Sequence, residues 1–194
     1  MTNSSEASQP APASTPSLLP EEPALPKGYT LHSGYPPVPD YLHLRAAAGL
    51  SPKTPAQAAP VARNSWYGCY VTYTPPDSPD SETTASASPA SNSSSSSPTI
   101  VAMGRIIADG GWYFHVTDMA VLPAHQRRGL GGAVLRHLLA RIRTHAPRGE
   151  GGVGGAYVTL FADAPGRRLY ARNGFVETAP GQVGMMMPMG WEGR

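Results

Sequence analysis

The stretch AHQRRGLGGAVLRHLL, from Ala124 to Leu139, sets two arginines and three glycines directly before an apolar helical pattern. A helix N-terminus has unpaired backbone N–H groups and a partial positive potential. Glycines there let a polyanion reach those donors without meeting a Cβ. The turn QRRGLGG lacks the Lys-Ser/Thr ending of a P-loop and the third-glycine spacing of a dinucleotide fingerprint. The chemistry it suits is a diphosphate held mainly by backbone amides, with Arg127 and Arg128 nearby.

Such a turn must sit between a strand and a helix. WYFHVTDMAV (Trp112–Val121) is rich in β-branched and aromatic residues and reads as the strand before it. Behind it, Leu130, Val134, Leu138 and Ile142 are spaced by four, with arginines on other faces, which reads as the helix. Upstream, Gly28–Tyr35 alternates weakly as a first strand, and Pro39–Leu50 reads as a helix that Pro39 starts and Gly49 ends. Thr54–Asn64 reads as a second short helix interrupted or kinked at Pro60. Trp66–Pro75 and Thr99–Gly111 read as strands, Ala156–Asp163 as a strong strand, Pro165–Phe175 as a short helix and Val183–Gly190 as a last strand. The order predicts an α+β fold, with hairpins rather than a doubly wound sheet.

Residues 1–26 are rich in Ser, Pro and Ala and read as a disordered tail, and 27–194 as one domain. The Ser-rich insert at 76–98 offers almost nothing to bury and reads as an elaborated hairpin loop, because loop length costs little free energy. All 15 Lys and Arg lie outside the tail and residues 75–98, which together hold six of the 13 acids. The remainder is basic, which favours an anionic ligand or a solvated basic surface. Cys69 is alone, so no internal disulfide forms. It lies in an apolar strand and reads as a buried structural thiol. No apolar run approaches the ~20 residues of a membrane helix, and the N-terminus lacks the regions of a signal peptide. The expectation is a soluble, cytoplasmic protein that binds neither membrane nor nucleic acid, the latter because no reader motif accompanies the basic charge.

VLPAHQRRGLGGAVLRHLL resembles the acetyl-CoA signature of the GNAT N-acetyltransferase superfamily, which is Gln or Arg, two residues, Gly, one residue, then Gly or Ala. Gln126, Gly129 and Gly131 fill it, after a strand ending in Ala120 and Val121. A second feature similar to the family's follows in ADAPGRRLYARNGF, with a tyrosine four residues before the glycine of GF. The resemblance spans roughly residues 28–189. It implies the GNAT fold, a central twisted mixed sheet of about six to seven strands flanked by about four helices, with acetyl-CoA as cosubstrate and no metal. It implies that the amides of Gln126, Arg127, Arg128, Gly129, Leu130, Gly131 and Gly132 bind the pyrophosphate. It also implies that the main chain of Met119 and Val121 pairs with the pantetheine arm, the Val121 amide polarising the thioester carbonyl. Asp163 stands where the family often has an Asn contacting that arm. An ionised Asp cannot donate a hydrogen bond, so that contact is altered.

Acetyl transfer needs a neutral amine, donors for the oxyanion and an acid for the departing thiolate. By the resemblance, Tyr170 is the candidate acid, with core packing as its alternative role. His115, eleven residues before Gln126, is the candidate base, directly or through water, with a structural histidine as the alternative. Strand alternation puts Thr117 on its face unless a bulge intervenes. Asp118 is the other carboxylate in reach, near the substrate or as a structural partner. The acceptor pocket implied by the family draws on Tyr29, Tyr35, Tyr41, Arg45, Trp66 and the Met-rich end of the chain. These point to a small primary amine, of apolar or arylalkylamine type, taken up by a monomer or homodimer. A protein or peptide acceptor, and a non-catalytic acyl-CoA-binding role, are the rival readings.

Overall fold

The computed structural model describes residues 25–75, 97–146 and 155–185. The expected tail at 1–26 and insert at 76–98 fall almost entirely outside them. Five strands follow in chain order: β1 (Tyr29–Ser33), β2 (Tyr67–Tyr73), β3 (Thr99–Ala108), β4 (Tyr113–Val121) and β5 (Tyr157–Thr159). They form one mixed sheet in the order β1-β2-β3-β4-β5. The first four are antiparallel neighbours, and β5 runs parallel to β4. Helix α1 (Val38–Ala47) follows β1, and α4 (Leu130–His145) follows β4. A final short helix, α5 (Arg167–Arg172), follows β5. This is the expected α+β fold, with five strands among the described residues instead of six to seven.

Local chemistry explains most boundaries. A proline in the first turn starts α1, and Gly49 leaves it at φ +80°. The expected second helix is two single turns, α2 (Pro55–Ala58) and α3 (Val61–Asn64), because Pro60 stands between them. Thr54 and Gln57 close a reciprocal capping box on α2. The strand expected over 156–163 ends at Thr159, and Val183–Met185, the described start of the expected last strand, is irregular.

The two faces of the sheet carry separate cores. On one, Leu130, Val134, Leu135, Leu138 and Ile142 of α4 pack on Val71, Val101, Ile106, Phe114 and Val116. On the other, Tyr41 and Leu44 of α1 pack on Met103 and Ala120. The four-residue spacing read from the sequence is the buried stripe of α4, each such side chain contributing about 1.5–3 kcal/mol. Gly104 of β3 lies under that stripe. A Cβ there would fall 2.6 Å from Met119 Sδ and 2.7 Å from Val134 Cγ1, so glycine sets how closely the helix approaches the sheet. Cys69 is fully buried, as its strand context predicts.

Candidate acetyl-transfer site

Strand β4 carries a bulge that organises the site. Arg105 pairs with Thr117 and Met103 with Ala120, so Asp118 and Met119 together oppose Gly104. Asp118 takes φ +52°, the left-handed turn that admits the extra residue. Before the bulge, Phe114 and Val116 face the α4 core, leaving His115 and Thr117 on the other face. After it, Met119 and Val121 face α4 and Ala120 faces α1. His115 and Thr117 therefore do share a face, since the bulge comes after both.

Asp118 is turned toward α1 and is fully engaged. One carboxylate oxygen accepts from Arg45 Nη1, and the other accepts from Arg105 Nε and from the Tyr41 hydroxyl. Burial alone would raise its pKa. The Tyr41 hydrogen bond and the two guanidiniums outweigh that and hold it below the ordinary carboxylate value. Arg45 also donates to the Ser51 carbonyl at 2.9 Å, and Arg105 Nη1 to Ser65 Oγ at 2.9 Å. Arg105 went unnoticed in the sequence, although a lone cation inside the apolar run AMGRII is a readable signal. A small recess beside the bulge is lined by Tyr35, Pro36, Tyr41, Met103, Gly104, Arg105 and Asp118.

His115 lies at the β4–β5 seam. Its Nδ1 is 2.9 Å from Thr159 Oγ1, and its ring tilts against Phe161 at 5.3 Å. Burial, then Arg105, lowers its pKa from the ordinary 6.5, against a smaller opposing effect of Asp118. The ring is thus neutral over a wider pH range than a free histidine. Thr159, a second residue missed in the sequence, also lies 3.3 Å from the Phe114 carbonyl, to which its hydroxyl donates.

Beyond His115, β4 parts from β5, whose pairing stops at Thr159. Leu122 N–H donates to Val101 at 2.9 Å, so alternation turns the Val121 N–H and carbonyl to the open side. Gln126 Nε2 donates to that carbonyl at 3.1 Å. The turn then climbs through Arg127 at φ +59° to Gly129 at φ +84°, the N-cap of α4. None of the backbone N–H groups of residues 127–132 finds an acceptor among the described residues. Space for a Cβ on Gly129 is open to 4 Å, so its glycine answers backbone conformation and outward access, not internal packing. Arg127 and Arg128 are exposed beside it. Six donors without an acceptor among the described residues, a left-handed N-cap and two exposed guanidiniums fit a diphosphate.

α5 abuts this turn, because a Cβ on Gly131 would lie 3.4 Å from Leu169 Cδ2. Tyr170 is half-buried with its ring 6.0 Å from Phe175, edge to face. Burial, then the nearby Asp163 carboxylate, raises its pKa. Asp163 is exposed, and its carbonyl accepts from Gly166 N–H at 2.9 Å.

The residues named for the acceptor separate. Tyr35 reaches the recess, while Tyr41 and Arg45 are held on Asp118. Tyr29 is buried at the other end of the sheet, its hydroxyl 2.8 Å from His125 Nδ1. Trp66 packs on Phe114 at 5.1 Å and under Arg141 of α4. No helix among the described residues is long and apolar enough to cross a membrane.

Residues 96–177 match the family model described as an acetyltransferase (GNAT) domain. No protein of curated function matches the chain. Among solved structures, a Staphylococcus aureus protein of unknown function is 27% identical, with a TM-score of 0.64 over 83% of this chain and 99% of that one. A GNAT-family acetyltransferase from Streptococcus pneumoniae is 18% identical, with a TM-score of 0.55 over 84% of this chain and 99% of that one. An acetyltransferase from Trypanosoma brucei is 15% identical, with a TM-score of 0.55 over 83% of this chain and 99% of that one.

Proposed function

We propose that this chain, whose residues 96–177 match the acetyltransferase (GNAT) domain model, transfers an acetyl group from acetyl-CoA to a primary amine of a small molecule, by direct attack in a ternary complex. The observation that carries this reading is the run of amides at 127–132 that find no acceptor among the described residues, beside the open side of β4. Acetyl-CoA supplies the acetyl group as an activated thioester. The turn amides and Arg127 and Arg128 hold its diphosphate, and the main chain of Met119 and Val121 aligns its pantetheine arm. The Val121 N–H is the donor for negative charge developing on the carbonyl oxygen.

His115 accepts the proton of the amine. With the Thr159 hydroxyl donating to Phe114, His115 donates from Nδ1 and keeps its lone pair on Nε2. Its lowered pKa keeps that lone pair available. The acid limb of kcat/KM is therefore expected below pH 6.5, the ordinary histidine value. A limb at or above that pH in a rate profile would remove His115 from the role.

Tyr170 protonates the departing thiolate, and burial together with Asp163 keeps its proton in place at neutral pH. Tyr170→Phe is expected to lower kcat by about 10²–10⁴-fold, the usual contribution of a general acid. CoA affinity, measured by titration, stays unchanged. Undiminished turnover would leave Tyr170 only a packing residue. Asp118 acts by positioning, since both its oxygens are committed.

The overall reading is tested by CoA thiol release from acetyl-CoA against arylalkylamines, amino acids, aminosugars, polyamines, and lysine or N-terminal peptides. Stimulation by one class establishes the transfer and names the acceptor. Silence across the panel, with acetyl-CoA still bound, favours a non-catalytic binding protein.

A further inference from the structure

The ion cluster at the bulge carries an unbalanced charge. Among the described residues its charged groups are Arg45, Arg105 and Asp118, two cations on one anion, of which Arg105 and Asp118 also line the recess. The tyrosines beside it are neutral donors, since burial first of all raises both Tyr35 and Tyr41. His115, on the same face of the sheet, is shifted toward its neutral form as described. An Arg guanidinium keeps its charge in any protein setting, so titration cannot remove the surplus.

The two arginines differ in access. Arg45 is sealed, with a side chain only 7% exposed and its Nε buried without a partner among the described residues. Arg105 is 16% exposed and lines the recess. Its Nε serves Asp118 and its Nη1 serves Ser65, leaving Nη2 with no partner among the described residues. Asp118 is only 8% exposed and its one charge is shared between two guanidiniums, so it neither neutralises both nor stands open to an ammonium group. Arg105 also stands opposite Thr117, on the face that carries His115, so a group bound to it lies beside the proposed base.

We propose that the Arg105 guanidinium, through its Nη2, binds a carboxylate at this cluster, so that the acceptor is an amine bearing a carboxylate a few bonds from its nitrogen. The inference rests on the acetyl-transfer reading for the amine and on the surplus charge for the carboxylate. A bound carboxylate brings the cluster to two cations and two anions and gives Nη2 its acceptor. Of the aromatic residues that first pointed to an arylalkylamine, Tyr29 and Trp66 pack away from this cluster and do not set the class.

The test uses the full chain and matched acceptors. These are phenylalanine with phenylalaninamide and 2-phenylethylamine, and γ-aminobutyrate with butylamine. Thiol release from acetyl-CoA gives kcat/KM, and calorimetric titration into the CoA-bound protein gives affinity without turnover. The carboxylate-bearing member of at least one set is expected to lead its neutral partners by about tenfold or more in one of these readouts. Arg105→Gln should bring that ratio near one with CoA affinity unchanged, and Arg105→Lys should fall between. If the glutamine variant fails to fold, the lysine variant carries the comparison, since it keeps the charge beside Asp118 and loses only the fork. Equal or better use of the neutral amines overturns the carboxylate site and leaves acetyl transfer standing. Silence in thiol release with carboxylate-selective binding retains the site and removes the transfer. Absence of selectivity in both readouts overturns the inference.

Discussion

Asp118→Asn is expected to destabilise the protein by about 3–5 kcal/mol, the scale for breaking a buried ion pair from one side. The loss comes from what remains. Arg45, sealed under α1, and Arg105 would face a neutral amide whose NH₂ group opposes at least one of them. The change should appear in urea unfolding as a lower midpoint at unchanged slope. Its pH dependence has a definite sign. The folded-state pKa of Asp118 is lowered, so its contribution is complete above the ordinary carboxylate value of 3.8 and is lost only as pH falls through the lowered value. The stability gap between wild type and variant should thus be flat from neutral pH down to about 4, and close below that. A variant as stable as wild type would show that α1 is held by its apolar contacts alone.

Gly129→Glu should weaken CoA binding by at least about 100-fold, or roughly 2.8 kcal/mol at 1.4 kcal/mol per decade. Nothing inside the protein occupies the space the new side chain enters, so no clash drives the effect. The internal penalty is the left-handed backbone at φ +84°, about 1–2 kcal/mol for any residue with a Cβ. Gly129→Ala carries that same penalty without the charge and separates the two. It should be as destabilised as the glutamate variant yet bind CoA better. Calorimetric titration with CoA alongside thermal unfolding checks both. Full affinity in the glutamate variant would assign the turn another purpose.

Much of this was legible in the residues. Periodicity exposed α4 because its buried stripe is long and strict, and the glycine turn exposed itself because three glycines before such a stripe have few other uses. Strands β2, β3 and β4 showed through their β-branched and aromatic content. What stayed hidden depended on partners distant in sequence. Nothing local to Asp118 announces Arg45, 73 residues away, and the direction of its side chain depends on a bulge marked by no glycine or proline. Thr159 was hidden for the same reason, since its meaning comes only from its register with His115. Aromatic residues were the least readable. Tyr41 lines the recess while Tyr29 and Trp66 pack in the core, and core and pocket draw on the same side-chain chemistry.

The single extra residue in β4 acts as a phase shift in a two-beat rhythm. Upstream of it, the odd beats face the seam where His115 sits. Downstream, the odd beats belong to α4 and the even beat at Ala120 belongs to α1. A nine-residue strand thereby serves two clients whose demands on it are out of step. Removing one residue between Thr117 and Ala120 would restore the rhythm with Ala120 still opposite Met103, and would leave a single residue opposite Gly104, facing α4. The extra residue is therefore what lets Asp118 face α1 while Met119 faces α4, and a deletion here should cost the Asp118 cluster while sparing the downstream pairing.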